Sequence, residues 1–156
     1  MLKENIKYTF FKYNCIDFVI AKYMKLYLKC SCFTKNSIKY KLYKLRLNKL
    51  GFRLGFEIEP GILDKSTIIY HQNIVINGFA KIGKNVKFHG SNCVGNNGYT
   101  LDAPVIGNNV DIGFGAVIIG KVEIADDCII GANAIVTKSF LEKGSVIAGC
   151  PAKKIK

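Results

Sequence analysis

One period governs most of this chain. Stepping by six from Ile76, the residues read Ile76, Ile82, Phe88, Val94, Thr100, Ile106, Ile112, Ile118, Ile124, Ile130 and Val136, large and apolar at ten of eleven positions. The residue four further on in each unit runs Ala80, Val86, Asn92, Gly98, Pro104, Val110, Ala116, Val122, Cys128, Ala134 and Phe140, apolar in eight of eleven. A helix repeats every 3.6 residues and a strand every two, so neither generates this pattern. Short parallel strands joined by tight turns do, each unit forming one wall of a triangular prism and three units, roughly 18 residues, completing a coil. The expected fold is an all-β solenoid, a hexapeptide β-helix.

Local residues agree with that geometry. Gly83, Gly95, Gly107, Gly113 and Gly131 follow inward aliphatics, and Asn85, Asn97 and Asn109 fall where a corner demands positive φ. Fainter echoes at Ile58, Ile62, Ile68 and Ile74 start the prism near residue 57 with an irregular first coil. Asn92, Gly98, Thr100 and Pro104 break the pattern together, so a loop leaves the prism around residues 96–104. Loops on a rigid solenoid commonly carry function.

At 156 residues the chain has room for one ordinary domain, and 49% apolar content suffices for a core. Its net charge of +12 is not spread evenly: residues 1–56 hold 13 Lys or Arg against 2 acids, residues 57–156 hold 10 against 9. A nucleic-acid binder would not confine its charge to an appendage in this way, so none is expected as partner. Six cysteines in 156 residues fall short of a disulfide scaffold, and the CxC of Cys30 and Cys32 has no matching pair to hold zinc. They read as reduced thiols of a cytoplasmic protein, and no leader pattern or membrane span is visible.

Residues 1–50 lack Gly and Pro and read as a basic segment of two or three helices ending near Leu50, followed by the β-helix domain at 51–156. Helical spacing lines up Tyr40, Tyr43, Leu47 and Leu50, with Leu42 and Leu45 off that stripe. Two readings stand for this segment: a peripheral contact with anionic membrane at the inner membrane face, or a cap over the open end of the prism. The C-terminal tail, 141–156, ends in Pro151 and three lysines, a plausible phosphate contact.

Only two histidines exist, His71 and His89. On a coil of roughly 18 residues their spacing stacks them on one outer wall about 4.8 Å apart, following inward Tyr70 and Phe88. Histidine titrates near neutrality, so either can take a proton from a hydroxyl. Glu57, Glu59 and Asp64 are the carboxylates of the same coil. No third histidine joins the column, so no metal is expected.

The stretches FEIEP (56–60), IIYHQNIVIN (68–77), AKIGKNVKFH (80–89), APVIGNNVDIGFGAVIIG (103–120) and IIGANAIVTKSF with IAGCPAKKI near the end resemble the hexapeptide-repeat acyltransferases. Within them the chain is similar to the serine acetyltransferase-like branch that includes polysaccharide O-acetyltransferases. The resemblance implies a left-handed parallel β-helix, a homotrimer with sites between subunits, and acyl transfer from acetyl-CoA to a hydroxyl. It assigns His71 as catalytic base and Glu57 as its acidic partner, with His89 lining the substrate groove. It points to Gly113, Gly131, Ala132, Lys138 and Lys153 for acetyl-CoA. The family's second histidine before the loop proline is Ala103 here, and the long helical domain is replaced by the basic segment, both favouring a saccharide acceptor over serine. The expected activity is therefore O-acetylation of a surface-polysaccharide sugar, with serine O-acetylation and a non-catalytic scaffold as alternatives.

Overall fold

A computed structural model describes residues 18–156. Cys15 and the beginning of the expected basic segment lie outside the described residues. Helix α1 (Phe18–Ser31) turns Ile20, Tyr23, Met24 and Tyr27 inward, a three-and-four spacing that makes one apolar face. Helix α2 (Ile38–Leu54) opens at Ser37, whose hydroxyl accepts from the Tyr40 amide, and closes at Gly55 in the left-handed region, φ 65°. It runs past Leu50, the expected end, and takes Gly51 inside it. The missing side chain lets the next strand approach, since an added Cβ would lie 2.9 Å from the Phe56 carbonyl oxygen.

The inward face of α2 is Tyr40, Leu47, Gly51 and Leu54, with Tyr43 and Leu50 half-buried. The stripe read from the sequence is therefore the face that packs. Both helices pack on the first coil: from α1, Tyr23 meets Phe56 edge-on at 4.9 Å between ring centroids, and the Tyr27 hydroxyl donates to the Glu59 carbonyl and accepts from the Ile62 and Leu63 amides, each at 2.9 Å. Tyr40 donates to Glu59 Oε1 at 3.0 Å, and Lys44 pairs with the other carboxylate oxygen. Burial by itself would raise the Glu59 carboxyl, but the hydrogen bonds from Lys44 and Tyr40 outweigh it and hold it below the usual carboxylate range. The helices thus cap the prism.

The prism has three parallel walls. The first stacks β1 (Phe56–Ile58), β3 (Ile74–Ile76), β6 (Cys93–Gly95), β9 (Val117–Ile119) and β12 (Ile135–Val136); the second stacks β4 (Lys81–Ile82), β7 (Val105–Ile106) and β10 (Glu123–Ile124). The third stacks β2 (Ile68–Ile69), β5 (Lys87–Phe88), β8 (Asp111–Ile112), β11 (Ile129–Ile130) and β13 (Val146–Gly149), and ends in antiparallel β14 (Ala152–Lys154). Columns such as Ile69, Phe88, Ile112, Ile130 and Ile147 are sealed inside at 0–1% exposure. Each such side chain contributes about 1.5–3 kcal/mol of burial.

Breaks in the period have physical explanations. Ile82 pairs with Ile106 across an offset of 24, so one whole hexapeptide has been pushed out between β6 and β7. Pro104 returns the chain to the buried track. Asn92 does occupy an inward slot, 2% exposed, and is satisfied there by the Gly90 amide at 2.9 Å and the Gly113 carbonyl at 2.8 Å. At one corner Asn85, Asn109 and Asp127 all take positive φ, and their side chains form a ladder of 3.0 and 2.7 Å hydrogen bonds. Asn97 does not join them, because it lies in the extruded loop, where Gly98 supplies the positive φ.

Two outcomes check this architecture. An added Cβ at Gly83 would sit 2.5 Å from the Gly107 backbone, whereas at Gly78 nothing lies within 4 Å. Gly83→Ala is expected to lower stability by about 1–3 kcal/mol in thermal unfolding while Gly78→Ala changes it little. Because the folded Glu59 carboxyl is held low, its contribution is present above the ordinary carboxylate range and lost as pH falls through the folded value. The stability difference between the parent and Glu59→Gln should accordingly shrink as the solution is acidified below about pH 4.

Candidate active site

His71 sits at the corner between the third and first walls. Left-handed residues mark this corner in successive coils: Gly55, Asn73, Ser91, Gly115 and Asn133. The first turn around it is longer than the others. Ile69 pairs with Phe88 and Ile76 with Val94, so seven steps separate the inward residues of the first coil where six separate those of the next. The extra residue lies within YHQN.

This one-residue insertion overturns the expected histidine stack. The coil offset on the third wall is 19, so His89 stands beside Tyr70, their ring centroids 4.8 Å apart. The inward residue is Ile69, and Tyr70 has moved to the outer surface. His71 is carried one place further, over Gly90, where an added Cβ would come within 2.6 Å of the His71 Cβ. Its imidazole is exposed and faces the Phe114 ring edge-on at 6.4 Å. Together with Ile20, Tyr70, Gln72 and Ser91 they line a cavity of about 460 Å³.

His89 has a carboxylate partner that sequence reasoning missed. Its Nε2 lies 2.8 Å from Asp111 Oδ1, while Lys87 Nζ approaches Asp111 Oδ2 at 3.4 Å. Asp111 is one coil above Lys87, but the extruded hexapeptide makes the sequence separation 24. Subtracting the loop from the numbering would have exposed the pair.

Glu57 points outward from β1, beside Val75. It lines a larger cavity of about 930 Å³ with Tyr23, Lys44, Phe79 and Cys93, and His71 is not part of that lining. Among the described residues no hydrogen bond joins Glu57 to His71. Burial pushes the Cys93 thiol up, away from the thiolate form.

The residues assigned to acetyl-CoA mostly share the third wall. Strand register puts Tyr70, His89, Gly113, Gly131, Ala148 and Lys153 in a single outer row across six strands. Between His89 and Lys153 no side chain in the row is larger than methyl, leaving a smooth lane about 19 Å long at the ordinary strand spacing. Phe114 and Ala132 belong to the adjoining row, next to Gly90. Lys138 lies elsewhere, past β12, with its ammonium 5.5 Å from the Phe140 ring. Among the described residues no cluster of three His, Cys, Asp or Glu is placed to hold a metal ion.

Residues 103–138 match the family model described as bacterial transferase hexapeptide, six repeats. The chain is 36% identical over 108 residues to serine acetyltransferase of Helicobacter pylori strain J99, covering 67% of this chain and 63% of that protein. It is 32% identical over 105 residues to serine acetyltransferase of Mycobacterium tuberculosis, covering 65% and 45%. The chain thus spans less than two thirds of the length of these relatives. Among solved structures, a serine acetyltransferase in complex with CoA superposes with a TM-score of 0.75 at 23% identity, over 89% of this chain and 58% of that one. At that identity the likeness speaks for the fold. Repeat, walls and relatives converge: the chain belongs to the hexapeptide-repeat transferases and has their left-handed parallel β-helix.

Proposed function

We propose that this protein transfers an acetyl group from acetyl-CoA to a hydroxyl, with His71 as base. The observation that carries the reading is the small-residue lane from His89 to Lys153, with His71 at the adjoining corner. An extended, phosphate-bearing thioester fits such a lane, its phosphates toward Lys153 and its acyl end toward the histidines. His71 takes the hydroxyl proton as the oxygen attacks the thioester carbonyl, the carbon–sulfur bond breaks, and the imidazolium returns the proton to the departing thiolate. Glu57 as orienting carboxylate is supported by the family resemblance only, since within one protomer it lines a separate cavity. His89, held by Asp111, forms the polar wall of the groove.

The named relatives support L-serine as acceptor, the reading that sequence analysis placed second. A saccharide hydroxyl remains the second reading on one observation: Ala103 stands where serine-specific members carry histidine, so that contact to an amino acid is missing. A homotrimer belongs to the proposal, because the chain alone leaves His71 in an open cavity and exposes Phe79, Tyr99, Leu101 and Phe114. Such apolar surface suits a wall that a sister protomer covers. The cytoplasm is where acetyl-CoA would meet it. Among the described residues no helix is long and apolar enough to cross a membrane.

His71→Ala should lower kcat by about 10²–10⁴-fold with the oligomer intact by light scattering, and Asp111→Asn should have a smaller effect through His89. The opposite order would make His89 the base. Thiol release from acetyl-CoA, followed with L-serine and with candidate sugars, separates the acceptors: turnover with serine alone excludes the sugar reading, and no turnover or CoA binding with any acceptor excludes catalysis.

A further inference from the structure

The outer face of α2 takes no part in the cap, and only Phe52 at its end also borders the cavity that Glu57 lines. Opposite the buried Leu47, the helix leaves Ile38, Leu42, Leu45 and Phe52 exposed at 77%, 56%, 69% and 90%. At 3.6 residues per turn these four and Lys49 fall within an arc of about 80°. Lys41 borders the arc on one side, Arg46 and Arg53 on the other. Beside it runs a groove of about 480 Å³ between the helices, in which Lys22, Lys25, Lys29, Arg46, Lys49 and Arg53 surround Leu26, Tyr43 and Leu50. Residues 18–56 hold ten Lys or Arg and no acid.

From this arrangement we infer that the outer face of α2 lies on an anionic lipid surface, with Ile38, Leu42, Leu45 and Phe52 among the acyl chains and the flanking cations on the headgroups. The inference is independent of the proposed reaction. Three partner chemistries compete for such a face. A nucleic acid or soluble polyanion would use the cations but leave four large apolar side chains in water. A second copy of the same face would bring like charges together. A bilayer of anionic lipid supplies both the apolar layer and the negative charge in the right order, charge outside and oil beneath. Helix α2 is held by α1 and, through Tyr40, Lys44 and Gly51, by the first coil, so the stripe is presented as a straight edge that can lie parallel to the surface.

The deciding measurement is co-sedimentation of the full chain with vesicles of phosphatidylglycerol and phosphatidylcholine, against phosphatidylcholine alone. Binding to the anionic vesicles should be roughly tenfold tighter or more, and should weaken with added salt. The double variant Leu42→Glu, Leu45→Glu should lose that binding by roughly tenfold or more, while its oligomeric state and thiol release from acetyl-CoA stay those of the parent. Equal binding to both vesicle types overturns the inference. So does full vesicle binding by the double variant, which would assign the contact to residues 1–17 or to charge alone. A change in oligomeric state in the double variant would instead make this face a contact between copies and overturn it too.

Discussion

Parallel stacking of six-residue walls at a common register is the constraint on which everything else depends. Each inward column shields the next, so Ile112 is buried only because Phe88 and Ile130 lie below and above it. A coil has no core of its own, and the free first coil would expose Phe56, Ile58 and Leu63. The helices answer this by laying Tyr23, Tyr27 and Leu54 on them. The ends differ in chemistry: apolar packing and a Tyr27 hydroxyl serving three backbone groups close one, the antiparallel β14 closes the third wall at the other.

Against so regular a frame, two irregularities stand out, at different corners of the prism. One hexapeptide is extruded after β6, and one residue is inserted beside His71. The first lengthens the sequence gap between Lys87 and Asp111 without disturbing their register; the second sets His71 over Gly90 and exposes Tyr70 to His89. A rigid solenoid tolerates such departures because neighbouring coils carry the register past them. The lane from His89 to Lys153 has another origin: strand register keeps its residues in one row although the coil lengths differ, and the side chains between its ends are small.

The helical segment separates two roles that share one helix. Its inward face, Tyr40, Leu47, Gly51 and Leu54, is spent on the cap, and its outward face keeps four large apolar residues among cations. Both faces are amphipathic in their surroundings, which is why a single stripe drawn on the sequence found the packed face and left Leu42 and Leu45 as outliers.

The β-helix, its three-walled coil and the expelled loop were legible in the sequence, because short parallel strands joined by tight turns produce a period of six over eleven units; His71, Glu57, Gly113, Gly131 and Lys153 were named as candidates by the family motifs. What the linear pattern held back was register. A strand pairing is decided by which inward side chains fill the column, and Ile69, not Tyr70, fits beneath Phe88. That choice separated His71 from His89, while the pairing of Phe88 with Ile112 joined Asp111 to His89 and that of Ile130 with Ile147 lined up Ala148 with the glycines. Periodicity is a local property of the chain and survives in one dimension; which residue stands above which depends on the length of every intervening turn, and only the folded stack adds those lengths together.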